Sequence, residues 1–86
     1  MRMSDVPEWW FWELNLSKHV LHRMIDRGFS ETDLRTMLED ATGLAPNHEP
    51  SRWVVTTTHN HVPWEVIVEP VGQYRILMVV TAYEVD

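Results

Sequence analysis

The spacing of apolar and polar residues predicts a first helix between Ser17 and Gly28. Apolar residues fall on one half of the helical wheel in this stretch, namely Val20, Leu21, Met24 and Ile25. Ser17 can cap the helix, because its hydroxyl can accept a hydrogen bond from a free backbone N–H of the first turn. Gly28 can end it, because glycine adopts positive φ without a Cβ clash. The other half of the wheel is polar and carries Lys18, His19, His22, Arg23 and Asp26, with Arg27 at the boundary.

A second helix is predicted from Ser30, which can cap it, with Asp33 as the acid of a capping box. Its core-facing positions recur at helical spacing, namely Leu34, Met37, Leu38 and Ala41. Gly43 is expected to end this helix, and residues 44–50 are expected to form a proline-bounded loop. Only residues 28–30 link the two helices, so the helices should be neighbours in space.

The remaining pattern predicts strands. Alternating apolar and polar residues within 9–16 favour an N-terminal strand, and β-branched or aromatic runs favour strands at 52–58, 64–69 and 74–83. The last strand is apolar on both faces from Ile76 to Val80, which is typical of a central strand. We therefore predict an α+β fold: an N-terminal strand, two helices, then a three-stranded antiparallel meander, with the helices packed on one face of the sheet. The other face would be covered by the tryptophan segment, another subunit or a ligand.

Composition narrows the class of protein. The 86 residues predict a single domain, 1–86, with residues 1–8 loosely attached. The net charge of -6 argues against non-specific binding to nucleic acid, yet it allows a small basic cleft for one phosphate. Four of the seven basic residues lie between positions 18 and 35, which makes the charge locally polarised. The chain has no cysteine, which excludes disulfides and thiolate chemistry. No signal peptide or membrane span is recognisable, so a cytoplasmic location is expected.

The motif His19-x-x-x-Arg23-Met24-x-x-Arg27-Gly28-Phe29-Ser30, a second helix and the terminal run Val79–Tyr83 resemble a widespread bacterial domain family of unassigned function. That family is similar to the ribonuclease fold of barnase, EndoU, colicin and RelE. The resemblance covers residues 14–85, whereas the Trp9–Trp12 segment and the acidic net charge depart from it. It implies a metal-independent endoribonuclease without a cofactor, which would be the toxin of a toxin–antitoxin or toxin–immunity pair. The implied partners are RNA, either tRNA or mRNA, and a cognate antitoxin or immunity protein, and no membrane.

Carried onto this chain, the resemblance implies a catalytic set of His19, Arg23, Arg27, Thr81 and Tyr83. His19 is the candidate acid or base, because imidazole titrates near neutrality. Arg23 follows at i+4 and projects beside it, and its planar guanidinium can bind a phosphate through two donors. Thr81 and Tyr83 share one face of a strand, where their hydroxyls can orient a phosphate or carry a second proton. The candidate substrate-binding residues are Lys18, His22, Arg52, His59 and His61.

Several alternatives stay open at this level. The spacing of His59 and His61 can chelate Zn²⁺ or Ni²⁺ with His48 as a third ligand, but we predict no metal site. The same turn could instead supply a second catalytic histidine to pair with His19. The tryptophans Trp9, Trp10 and Trp12 either plug one end of the sheet or form a surface for a partner or a base. The chain would then be a non-catalytic acidic binding module, such as an antitoxin, immunity or inhibitor protein. A third hypothesis is a homodimer in which the last strand is buried by its own copy.

Overall fold

A computed structural model describes residues 6–85, and in that part of the chain two α-helices accompany one five-stranded sheet. The elements are a 3₁₀ helix (Glu8–Phe11), β1 (Glu13–Leu16), α1 (Lys18–Arg27), α2 (Glu31–Glu39), β2 (Gly43–Pro46), β3 (Trp53–His59), β4 (Val62–Val71) and β5 (Ile76–Glu84). The strand order is β1-β5-β4-β3-β2, and every neighbouring pair is antiparallel except β1 and β5. The α+β class is confirmed, whereas the predicted three-stranded meander is one part of a larger sheet.

The helix ends follow the predicted capping signals. The Ser17 hydroxyl accepts from the backbone N–H of Val20 at 3.0 Å, and Gly28 has a φ of 70° at the end of α1. Ser30 and Asp33 form both hydrogen bonds of a capping box at the start of α2. The predicted end of the second helix at Gly43 is wrong, because α2 ends at Glu39 and Gly43 begins β2.

Two predictions failed where tertiary contacts decide the local structure. Residues 44–50 were expected to be a loop, but β2 pairs with β3 along its whole length. Pro46 fits there because β2 is an edge strand whose outer side needs no N–H donor. The first half of the predicted N-terminal strand is instead a 3₁₀ helix, in which Trp9 packs on Trp53 with ring centroids 5.7 Å apart.

Of the three meander strands only β4 is longer than predicted, whereas β3 is shifted by one residue and β5 begins two residues later and ends one residue later than predicted. β4 runs from Val62 to Val71, so the predicted turn at residues 59–63 shrinks to Asn60 and His61, which both have positive φ. β5 lies inside the sheet between β4 and β1, but β4 is the central strand. Residues 1–5 of the segment expected to be loosely attached lie outside the described residues, and Glu8 already belongs to the 3₁₀ helix.

The core lies between the sheet and the two helices. Side chains of three strands point into it, namely Val55 and Thr57 of β3, Trp64, Val66 and Val68 of β4, and Leu77, Val79 and Ala82 of β5. The Thr57 hydroxyl donates to the carbonyl of Met37 and so ties α2 to β3. The three tryptophans Trp9, Trp10 and Trp12 are half-buried and pack against the same core, as expected if they plug one end of it.

The face of α1 that packs is narrower than the helical wheel predicts. Val20 is fully buried and Met24 is half-buried, but Leu21 is 44% exposed and Ile25 is 82% exposed. The reason is that α1 packs along β5, beside the edge of the sheet, instead of lying across its middle. Only a narrow stripe of the helix therefore reaches the core.

Candidate functional site

The outer edge of β5 is only half covered by β1. The parallel pairing joins Glu13–Leu16 to Ile76–Val79 and stops there. Beyond that point the backbone turns into α1, and side chains of α1 and its cap bind the β5 carbonyls instead. The Ser17 hydroxyl donates to the Val80 carbonyl at 2.6 Å, and Arg23 Nε donates to the Ala82 carbonyl at 3.2 Å. The helix thus replaces a strand neighbour along the second half of β5.

This arrangement brings Arg23 to the stretch of β5 that carries two of the predicted site residues. Thr81 and Tyr83 flank Ala82, and both lie on the sheet face opposite the helices, where they pair with Ile67 and Glu65 of β4. We call this the open face, because within residues 6–85 neither α-helix packs against it. The Nη groups of Arg23 have no protein partner in the described part of the chain.

A phenol and a carboxylate are paired on the open face. The Tyr83 hydroxyl donates to Glu65 Oε1 at 2.6 Å across the β4–β5 ladder. That hydrogen bond, with lesser contributions from burial and from the negative charge of Glu65, raises the pKa of Tyr83 above its ordinary value of 10.0. The phenol therefore keeps its proton at neutral pH, and it is positioned by the carboxylate.

The other cationic residues of α1 take different positions. His19 is exposed one helical turn before Arg23, and its imidazole has no hydrogen bond or ion pair to any other described residue. Arg27 approaches Glu84 at the end of β5, with 3.9 Å between Nη1 and Oε1. Lys18 and His22 are exposed on the side of the helix that faces away from β5. The predicted stripe therefore contacts β5 through Arg23 and Arg27, with His19 beside them.

The remaining predicted residues lie elsewhere. Arg52 Nε binds Glu69 Oε1 at 3.1 Å, toward the opposite end of β4 from Glu65. His59 is on the helix side of the sheet, where its ring lies 5.8 Å from the ring of Trp64 and 6.3 Å from that of Phe29.

His61 follows at the tip of the β3–β4 hairpin. The ring of His59 lies beside Phe29, which follows the C-terminal end of α1. His19 lies in the first turn of that helix, about 12 Å along its axis from Arg27 at about 1.5 Å per residue. The hairpin histidines do not pair with His19. Among the described residues no group of three or more acidic or histidine side chains could hold a metal ion.

Sequence reasoning missed Glu65, whose carboxylate accepts the hydrogen bond of the predicted Tyr83 hydroxyl. It lies at an ordinary polar position in an alternating strand, so the sequence carries no signal that singles it out. Its role depends on the register that places Glu65 opposite Tyr83, and that register includes a bulge between Ile67 and Val68. We call His19, Arg23, Glu65, Thr81 and Tyr83 together the α1–β5 site.

A second feature lies on the helix side of the molecule. A cleft of about 250 Å³ is lined by aromatic and aliphatic side chains with one cation and one anion, namely Trp10, Phe11, Trp12, Leu14, Leu38, Arg35 and Glu39. Phe11 is 63% exposed there, unlike its tryptophan neighbours. We call this the aromatic cleft.

Comparison with known proteins gives one match. A family model described as a domain of unknown function, DUF4258, matches residues 16–84. The matched region holds α1, α2 and strands β2 to β5, and it leaves out the 3₁₀ helix and most of β1. No curated protein and no solved structure matches the chain. None of the helices within residues 6–85 has the length and apolar character needed to cross a membrane.

Proposed function

This chain belongs to the DUF4258 family, and we propose that it is a metal-independent endoribonuclease whose active centre is the α1–β5 site. In this proposal it is the toxin of a toxin–antitoxin or toxin–immunity pair that cleaves tRNA or mRNA in the cytoplasm. The proposal draws on the resemblance of the helix motif to a family that is considered similar to the barnase, EndoU, colicin and RelE type of ribonuclease. The observation that carries it is the Tyr83–Glu65 hydrogen bond on the stretch of β5 to which Arg23 is bound.

Cleavage of RNA without a metal needs three kinds of group. A base removes the proton of a ribose 2′-hydroxyl, whose oxygen attacks the adjacent phosphorus. A cation stabilises the negative charge that develops on the phosphoryl oxygens, and an acid protonates the departing 5′-oxygen. The products are a 2′,3′-cyclic phosphate and a free 5′-hydroxyl. The α1–β5 site contains candidates for each of these roles.

Arg23 suits the role of the phosphate ligand. Its Nε is bound to the Ala82 carbonyl, which fixes the plane of the guanidinium, and its Nη groups have no protein partner among the described residues. A fixed guanidinium can donate two parallel hydrogen bonds to a phosphate with little further loss of side-chain freedom. Thr81 precedes Ala82 on β5, so its hydroxyl is a candidate to position the phosphate that Arg23 binds.

Two groups suit the proton transfers. The Glu65 carboxylate, which is oriented by Tyr83, is the candidate base, because carboxylates are ionised at neutral pH. His19 is the candidate acid, since it is exposed beside Arg23 and imidazole titrates near neutrality. Tyr83 holds Glu65 in place and keeps its own proton.

The test is an RNA cleavage assay in EDTA with total tRNA and with mRNA as substrates. We expect discrete fragments that end in a cyclic phosphate, and we expect their loss in His19→Ala and Glu65→Gln. His48→Ala is the matched control, because it removes an exposed imidazole that lies outside the α1–β5 site and outside the candidate substrate-binding residues. Arg23→Lys keeps the charge but not the planar fork, so it should retain less activity than the control.

Two results would oppose the proposal. Intact RNA from folded protein over both substrates would favour the binding-module hypothesis instead. Fragments that persist in both His19→Ala and Glu65→Gln would show that any cleavage occurs elsewhere on the molecule or comes from a contaminant. Circular dichroism of each variant separates loss of activity from loss of fold.

A further inference from the structure

We propose that the chain forms a two-fold symmetric dimer in which the outer surface of α1 from each copy docks into the aromatic cleft of the other. This surface is distinct from the α1–β5 site and does not depend on the proposed activity. The argument rests on two apolar features that the fold leaves exposed, and on the opposite charges beside them.

The first feature is the outer surface of α1. Leu21 and Ile25 are one turn apart and point the same way, and Ile25 is 82% exposed. Lys18 and His22 lie beside them on the helix, and Lys18 has no ion-pair partner within residues 6–85. An isolated exposed aliphatic residue needs no explanation, but a pair at i and i+4 makes a stripe that a partner can cover.

The second feature is the aromatic cleft. It is apolar at its base, where Trp10, Trp12 and Leu38 are half-buried or buried, and Phe11 stands exposed at its rim. Its volume of about 250 Å³ is enough for a branched aliphatic side chain to enter. Glu39 borders the cleft and has no ion-pair partner in the described part of the chain.

The charges beside the two features are complementary. The exposed surface of α1 carries an unpaired Lys18 next to its apolar stripe, and the cleft carries an unpaired Glu39 next to its apolar base. The cation of the cleft, Arg35, is already paired with Glu31 at 3.6 Å, so Glu39 is the charge left for a partner. In a two-fold dimer each copy contributes both surfaces, so each such contact forms twice. A second copy of this chain would therefore cover the exposed apolar side chains and supply an ion-pair partner for Lys18 and for Glu39.

The dimer leaves the α1–β5 site accessible. Ile25 lies about 200° around the helix from Arg23, at about 100° per residue, so the two residues face opposite sides of α1. Substitutions on the outer surface can therefore change association without altering the groups that contact β5.

The experiment is sedimentation equilibrium of the full chain over a range of concentrations. We expect a species of twice the chain mass, and we expect Ile25→Asp to raise the dimer dissociation constant by at least about tenfold. Tyr74→Asp is the matched control, because Tyr74 is exposed in the β4–β5 loop and belongs to neither surface. Lys18→Glu and Glu39→Lys should each weaken the dimer, and together they should restore it.

Either of two outcomes would overturn the proposal. A monomer at every concentration excludes the dimer. A dimer that is unaffected by Ile25→Asp uses another surface, such as the open face of β5. RNA cleavage by the Ile25→Asp monomer, measured in parallel, keeps this result separate from the proposed function.

Discussion

Removing the Ser17 hydroxyl is expected to destabilise the protein more than the loss of an ordinary helix cap. The hydroxyl makes two hydrogen bonds at once, because it accepts from the N–H of Val20 and donates to the carbonyl of Val80. The first bond starts α1, and the second fastens it to β5. Ser30 is a natural comparison, because it caps α2 in the same way, without a bond to any strand.

The magnitude follows from these two bonds. Loss of a serine N-cap costs about 1 kcal/mol. A half-buried carbonyl left without its donor costs about another 1 kcal/mol. Ser17→Ala should therefore lower the free energy of unfolding by about 2 kcal/mol, and Ser30→Ala by about 1 kcal/mol. At about 4–8 °C per kcal/mol for a chain of this size, the melting temperatures should separate clearly.

Urea unfolding followed by tryptophan fluorescence and by circular dichroism measures both variants. Ser17→Asp provides the sharper control, since aspartate is a good N-cap but offers no donor to the Val80 carbonyl. It should therefore lose about 1 kcal/mol, which is less than Ser17→Ala loses but clearly different from the parent protein. The reasoning is refuted if Ser17→Ala and Ser30→Ala lose equal stability and Ser17→Asp unfolds like the parent protein.

Three further predictions concern single groups. Thr57→Val should cost about 1–3 kcal/mol by urea unfolding, because it leaves a carbonyl in the last turn of α2 without its buried donor. Gly28→Ala should cost about 1 kcal/mol and Gly28→Asn less, because φ is 70° and an added Cβ would contact nothing within 4 Å. The pKa of Tyr83 is raised in the folded protein, so its protonated phenol stabilises the fold. This contribution to the free energy of unfolding is fully present below the unfolded-state pKa of 10.0, and it is lost as the pH rises through the folded-state pKa. In a Tyr74→Phe background, tyrosinate absorbance reports this titration directly, and Glu65→Gln should move its midpoint down.

Each of these has a contrary result. An unchanged midpoint for Thr57→Val would mean that α2 is held to β3 by apolar packing alone. Equal stability of the alanine and glycine proteins at position 28 would mean that the helix end is not strained. A tyrosinate titration unaffected by Glu65→Gln would remove the negative charge of Glu65 as a cause of the shift.

The helices were predictable because their signals are local. A serine cap, an apolar stripe and a glycine with positive φ define α1 within twelve residues, from Ser17 to Gly28. The second helix was predictable at its start for the same reason, since the capping box joins residues only three apart. Its end has no such signal, and Gly43 was misassigned because a glycine can also begin a strand.

The elements that the sequence did not predict depend on distant partners. β2 is four residues long and contains Pro46, so only its pairing with β3 makes it a strand. Trp9 lies in a 3₁₀ helix because its ring packs on Trp53, more than forty residues away in sequence. Packing of aromatic side chains outweighed the strand preference of the same residues.

Four of the five residues of the α1–β5 site could be named from the sequence. The family resemblance singled them out, and periodicity adds only that His19 and Arg23 share a helix face and that Thr81 and Tyr83 share a strand face. Glu65 joins these residues only through the register that places it opposite Tyr83. The helical wheel of α1 likewise does not reveal that the helix lies beside the edge of the sheet. The position of α1 at the edge of the sheet is the reason that Ile25 is exposed.

The length of β1 connects these observations. Had β1 continued past Leu16, a strand would occupy the edge of β5 and the carbonyls of Val80 and Ala82 would bind its N–H groups. Because β1 stops there, the chain can turn into α1 at Ser17, and Arg23 takes the place of a backbone donor. The guanidinium is therefore held at the border of the open face by a backbone contact, and it does not need an acid to fix it. A cation positioned in this way leaves its Nη groups without a partner among the described residues, which is the property that the proposed phosphate site requires.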